Sequence, residues 1–111
     1  MYLTGYNIPM NILLKSDKFD AWLSNLRDKK AKAKIALRLG RAEQGNFGDC
    51  EPVGEGVSEM RIHYGPGYRL YFTRRGEVVY LLLLGGDKST QQQDIAKAIE
   101  MANNLPKDLT P

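Results

Sequence analysis

The run VVYLLLL, from Val78 to Leu84, is apolar at every position and shows no alternation. A strand with one face in water alternates apolar and polar side chains, so a strand without alternation has to be covered on both faces. Its length predicts an interior strand and falls well short of the ~18 residues of a membrane span. A chain of 111 residues is one domain by length, long enough to bury a single core without disulfides or metal.

The segments before that strand change period partway along. MNILLKS, Met10 to Ser16, reads as a first strand. Phe19, Trp22, Leu23 and Leu26 then recur at i, i+3, i+4 and i+7, one face of a helix that Ser16 would cap. A second helix is predicted from about Asp28 to Gln44, with Ala31, Ile35, Leu39 and Ala42 on its apolar side and Gly45 stopping it. From Asp49 onward the pattern becomes short β runs punctuated by glycine, the first marked by Pro52 as an edge or irregular segment. After GGDK, Ser89 and Gln92 fit a capping box opening a last helix, with Ile95, Ala98, Ile99 and Ala102 inward and Pro106 ending it. The order predicted is strand, two helices, three or four strands and a last helix, with the helices segregated from a hairpin-connected sheet: the class is α+β. The domain spans residues 10–105; residues 1–9 read as a peripheral extension and 106–111 as a tail.

SEMRIHYGPGYRLYF reads as a hairpin closed by Gly65-Pro66-Gly67. A three-residue loop sets His63 opposite Arg69, Arg61 opposite Tyr71 and Glu59 opposite Thr73. One face is then Met60, Ile62, Tyr64, Tyr68, Leu70 and Phe72, an apolar surface for the helices. The other gathers Glu59, Arg61, His63, Arg69, Tyr71 and Thr73, with Lys88 able to reach it from beyond the interior strand. Arginine binds phosphate through a fixed fork of donors, while imidazole, carboxylate and phenol can exchange or orient a proton. Each residue also has a plainer use. His63 can be a solvated strand residue, Glu59 a partner of Arg61, and Tyr71 a packing group on the Arg61 stem. For the GPG and Gly85-Gly86 sequences, turn chemistry outweighs a phosphate-cradling loop.

Lone Cys50 cannot form an internal disulfide and fits a reducing, cytoplasmic setting. With His63 as the one histidine, no zinc site is expected. The N-terminus lacks the basic-then-apolar order of a secretory signal. The net charge of +3 is unevenly placed: Arg27, Lys29, Lys30, Lys32, Lys34, Arg38 and Arg41 stand against Asp28 alone between residues 27 and 41. Such a stripe is either a solvated helix face or the footprint of a nucleic-acid partner.

FDAWLSNLRDKKAKAKI, GNFGD, PVGEGVSEMRIHYGPGYRLYF and LLLLGGDKSTQQQDIAKA closely resemble the phage-derived, HigB-like branch of the RelE/ParE toxin superfamily, the addiction module killer proteins. The resemblance runs from about Phe19 to Asn104. It implies the RelE/ParE-like fold, an antiparallel-rich sheet of about four strands with two N-terminal helices and a C-terminal helix, and the toxin of a type II toxin–antitoxin system. It further implies a metal-independent endoribonuclease acting on ribosome-bound mRNA, without cofactor or membrane association. The implied partners are the ribosome and a helix-turn-helix, HigA-like antitoxin; operator DNA would be met only through the antitoxin complex.

The resemblance assigns Arg69, Arg61 and Lys88 to the scissile phosphate and leaves the base open, with Glu59 and His63 both candidates. Tyr71 would orient or stack the substrate, or with Lys88 assist the leaving oxygen. The basic second helix would dock on ribosomal RNA. Departures are that Glu59 stands where ribosome-dependent members carry a basic residue, that the last helix lacks tyrosine and histidine, and that His63 stands where close relatives more often have an acidic or other polar residue. Gyrase-inhibiting members of the superfamily share the fold and supply the alternative function.

Overall fold

In the computed structural model, which describes residues 9–106, Ser16 links strand to helix. Its Oγ accepts from the Phe19 N–H at 3.0 Å and donates to the Leu83 carbonyl at 2.6 Å. One side chain thus ends β1 (Ile12–Lys15), caps α1 (Asp17–Asn25) and ties both to the interior of the sheet. Asp28 repeats the capping device for α2 (Lys29–Glu43), accepting from the Lys30 and Ala31 amides. Four strands or strand-like runs follow, β2 (Cys50–Gly54), β3 (Val57–Ile62), β4 (Tyr68–Arg74) and β5 (Val79–Asp87). A single 3-10 turn, Lys88–Thr90, then leads into α3 (Gln91–Asn103).

The class is α+β, with a five-stranded mixed sheet in the order β1-β5-β4-β3-β2 in place of about four strands. β1 runs parallel to β5 and the other pairs are antiparallel. Pro52 lies on the edge strand β2, where the register shifts and the missing N–H costs no ladder bond. Among the described residues, no helix is long and apolar enough to cross a membrane. The expectations for residues 1–8 and 107–111 fall outside the described residues.

The Val78–Leu84 run is covered on both sides, as its lack of alternation requires. Phe19, Ala31, Ile35, Leu39 and Ala42 of the helix pair pack with Met60, Ile62, Leu70, Phe72 and Leu82 on one face. On the other, Ala98 of α3, with Ile95 and Ile99, packs against Val57, Tyr71, Leu81, Leu83 and Leu84. Leu83 and Leu84 share that face because of a bulge: Tyr71 pairs with Leu84 but Phe72 with Leu82. The second face of the hairpin is therefore roofed by α3 and is not the wet surface that alternation predicted.

Three local expectations change. The β3–β4 connection is residues 63–67, so Ile62 faces Tyr68, Arg61 faces Arg69, Glu59 faces Tyr71 and Val57 faces Thr73. A slip of two residues preserves every face but replaces every cross-strand partner. The predicted Ser89/Gln92 capping box does not form. Asp87 instead accepts from the Ser89 amide at 2.8 Å, and Thr90 precedes α3 without a side-chain cap. Gly85-Gly86 is strand, neither turn nor phosphate loop.

Gly85 is required by a neighbour. A Cβ there would lie 2.3–2.6 Å from three atoms of the Trp22 indole, which sits between Phe19 and Tyr68. Gly85→Ala is expected to displace the indole and cost about 1–3 kcal/mol, as overpacking does. Chemical denaturation together with a red-shifted tryptophan emission would register both effects.

Candidate active site

Glu59 is only 1% exposed, on the α3-covered face of β3. Its Oε1 accepts from Arg61 Nε at 3.1 Å, and its Oε2 from Gln91 Nε2 at 2.8 Å and Tyr71 Oη at 3.3 Å. Arg69 Nε stands 3.7 Å from the same Oε1, an ion-pair distance but too long for a hydrogen bond. The observed register makes this cluster, because Glu59 sits directly opposite Tyr71 and Arg61 opposite Arg69. Arg61 is also matched by Glu51 at 2.5 Å and Asp49 at 3.7 Å, both at the β2 edge. Of the residues expected on this face, Glu59, Arg61, Arg69 and Tyr71 do converge.

Their environment changes the roles assigned from sequence. Tyr71 is fully buried, so it neither stacks on a substrate nor reaches a leaving group. Burial, the adjacent Glu59 charge and its hydrogen bond hold the phenol well above the ordinary tyrosine range, and it serves as a donor to Glu59. Glu59 is enclosed and engaged by three donors, so it cannot approach a ribose hydroxyl and is excluded as the base. Arg61, held by three carboxylates, orients acids and has little left for a phosphate.

His63 departs from the strand altogether. It begins the 63–67 connection, 70% exposed, with Nε2 2.5 Å from Asp49 Oδ2. That contact fixes one ring nitrogen, Nε2. Tyr64 next to it donates to Asp28 Oδ2 at 3.0 Å, pinning the loop to the start of α2. The Arg69 Nη1 donates to the Gly67 carbonyl at 3.0 Å, and the Lys88 amide to the Pro66 carbonyl at 3.4 Å. An open depression of about 430 Å³ results, walled by His63, the Gly65-Pro66-Gly67 turn, Arg69 and Lys88. Two cations and an imidazole line it, and no carboxylate among the described residues does. Arg69 is the buried wall, 9% exposed, its Nε facing Glu59 without a hydrogen bond, and Lys88 the exposed one.

The two aspartates that fix this loop are the acid-sensitive points. Asp28 is held below the usual carboxylate range, first by the Ala31 amide and then by Tyr64. Asp49 is lowered chiefly by the His63 hydrogen bond. A depressed folded-state pKa stabilises above the unfolded value of about 3.9 and the gain is lost as pH falls through the folded value. Both clips are therefore expected to hold at neutral pH and release only in acid, below about pH 4. Carboxyl NMR titration should follow Asp28 and Asp49 releasing together with the chemical shifts of residues 63–67.

Arg27 just before α2, and Lys29, Lys30, Lys34 and Arg41 on it, are exposed, Lys32 is half-buried, and none forms an ion pair with a described residue. Arg38 differs from them. Its guanidinium donates to the carbonyls of Arg61, Phe47 and Asp49, lying against Gly48, whose φ of +68° and missing Cβ admit it. Arg38 joins α2 to the β2–β3 edge and is not a free RNA contact.

Asp49, Glu51 and Gln91 were missed. The alternation Asp49-Cys50-Glu51 beside a PVGEG hairpin was the available signal for the first two; Gln91, 32 residues from Glu59, had none.

No protein-family model matches the chain. An uncharacterized protein of Haemophilus influenzae is 47% identical to it over 97 residues, which cover 86% of this chain and 98% of the relative.

Proposed function

The chain belongs to one family with that Haemophilus influenzae protein, and for it we propose the role of a type II toxin that cleaves mRNA on the ribosome. One observation carries this reading: the depression at the β3–β4 turn, where Arg69 and Lys88 face an imidazole already oriented by an aspartate. The RelE/ParE resemblance of the hairpin and GGDKS sequences supplies the substrate class.

In this reading Lys88 and Arg69 hold the scissile phosphodiester and offset the charge that grows on its oxygens. His63 takes the proton of the adjacent 2′-hydroxyl through Nδ1, with Asp49 stabilising the imidazolium that forms. The 2′-oxygen bonds to phosphorus and the bond to the 5′-oxygen breaks, leaving a 2′,3′-cyclic phosphate. The leaving 5′-oxygen takes its proton from the His63 imidazolium or from Lys88. Glu59, Arg61 and Tyr71 position Arg69 without touching the substrate. A helix-turn-helix antitoxin from the same operon would hold the toxin inactive.

Lys88→Ala tests the reading cleanly, because Lys88 is exposed and forms no ion pair among the described residues. Expression without antitoxin is expected to arrest growth with cleaved messages, and Lys88→Ala to relieve both. Arrest with intact messages and DNA-damage signalling would favour gyrase inhibition instead.

A further inference from the structure

His63 borders a second concavity as well. A groove runs from it along α2, floored by Leu37 and Ile62 and flanked by Lys34, Arg38 and Arg41. Lys34 and Arg41 lie on one side of the helix, roughly 10 Å apart along the axis by helical rise. Among the described residues, neither meets a carboxylate and no acidic side chain lines the groove. Leu37 is 55% exposed, an apolar residue in a basic stripe. Arg38 keeps the two walls together through its three carbonyl contacts, so the groove is held by the fold. Tyr64 stands between the two concavities, its ring 5.4 Å from the Lys34 ammonium.

We propose that this groove holds the substrate strand itself: single-stranded RNA flanking the scissile phosphate, its phosphates on Lys34 and Arg41 and a base or ribose on Leu37. The inference rests on the nuclease reading of the adjacent depression and extends it. A cationic groove with an apolar floor suits a single strand, whose bases are free to turn inward; a duplex presents only phosphates. Continuity through His63 gives the strand an unbroken path to Arg69 and Lys88. The basic stripe of residues 27–41 is thereby divided. Lys34 and Arg41 serve the substrate, while Arg27, Lys29, Lys30 and Lys32 remain for a larger RNA surface.

The test is fluorescence anisotropy of the purified full chain with a labelled RNA of roughly 12 nucleotides, a length suited to a small groove. The RNA is 2′-O-methylated to block cleavage, and no ribosome is present. Wild type is expected to bind it at least about tenfold more tightly than the same sequence as a duplex. Lys34→Glu/Arg41→Glu should weaken binding by roughly 30-fold or more and flatten the logarithmic salt dependence by about 1.4, the loss of two single-strand phosphate contacts. Leu37→Asp, at an exposed position where folding is indifferent, should weaken it about tenfold. The charge-matched control Lys15→Glu/Lys18→Glu, near the opposite edge of the sheet, should stay within about threefold of wild type.

Equal losses in groove and control variants, unchanged affinity in the groove variants, or no binding at all would overturn the inference. The two proposals fail separately. Groove-dependent binding without any mRNA cleavage leaves the groove and removes the nuclease; Lys88-dependent cleavage with groove-independent binding does the reverse.

Discussion

Glu59→Ala is expected to destabilise the protein by about 3–5 kcal/mol, the cost of breaking a buried ion pair from one side. The reason is what Glu59 leaves behind. Arg69, 9% exposed, loses its carboxylate, and the fully buried Tyr71 hydroxyl loses its acceptor. Arg61 still has Glu51 and Asp49, so the damage centres on β4 and on the start of α3, where Gln91 is released. Against a total of about 5–15 kcal/mol for an ordinary domain, that is a large fraction. Glu59→Gln keeps acceptor oxygen and shape and should cost less than the alanine. Urea denaturation measures both; a loss below about 1 kcal/mol for Glu59→Ala would mean that the cluster does not hold the two arginines.

His63→Ala should have the opposite profile. The side chain is 70% exposed, so stability is expected to move by no more than about 0.5 kcal/mol. In the nuclease we propose, cleavage should fall about 10²- to 10⁴-fold, the usual contribution of a positioned acid–base group. Asp49→Asn retains a hydrogen-bonding partner for Nε2 but removes the charge that stabilises the imidazolium, and should lie between wild type and His63→Ala. Single-turnover cleavage of a programmed ribosome complex gives these rates. A His63→Ala rate within threefold of wild type would remove the histidine from the chemistry and leave only the phosphate-holding residues.

The parts of this fold that sequence discloses are those set by local chemistry. Phe19, Ala31, Ile35, Leu39 and Ala42 are buried as helical period requires, Ser16 caps α1, and Pro52 sits on an edge. The Val78–Leu84 run announces two covered faces, whereas alternation in the hairpin predicts one wet face. The missing link was that α3 returns across the sheet opposite α1 and α2, a long-range event that its own apolar stripe does not specify. The hairpin shows the same limit. Gly65-Pro66-Gly67 marks a turn, but its length is fixed by Tyr64 binding Asp28 and by Arg69 binding the Gly67 carbonyl, the first a contact 36 residues away. Because the resulting slip is an even number, the right residues reached the right face with the wrong partners. Glu59 consequently moved from candidate base to buried organiser, and His63 from the sheet to the rim of the depression.

The most direct test of the central claim is to map new 5′ ends by primer extension on a translated mRNA after brief induction without antitoxin, beside Lys88→Ala. The account predicts 5′ ends inside reading frames for the wild type and their loss in the variant, with both proteins folded alike. Growth arrest with full-length messages from the wild type would contradict it.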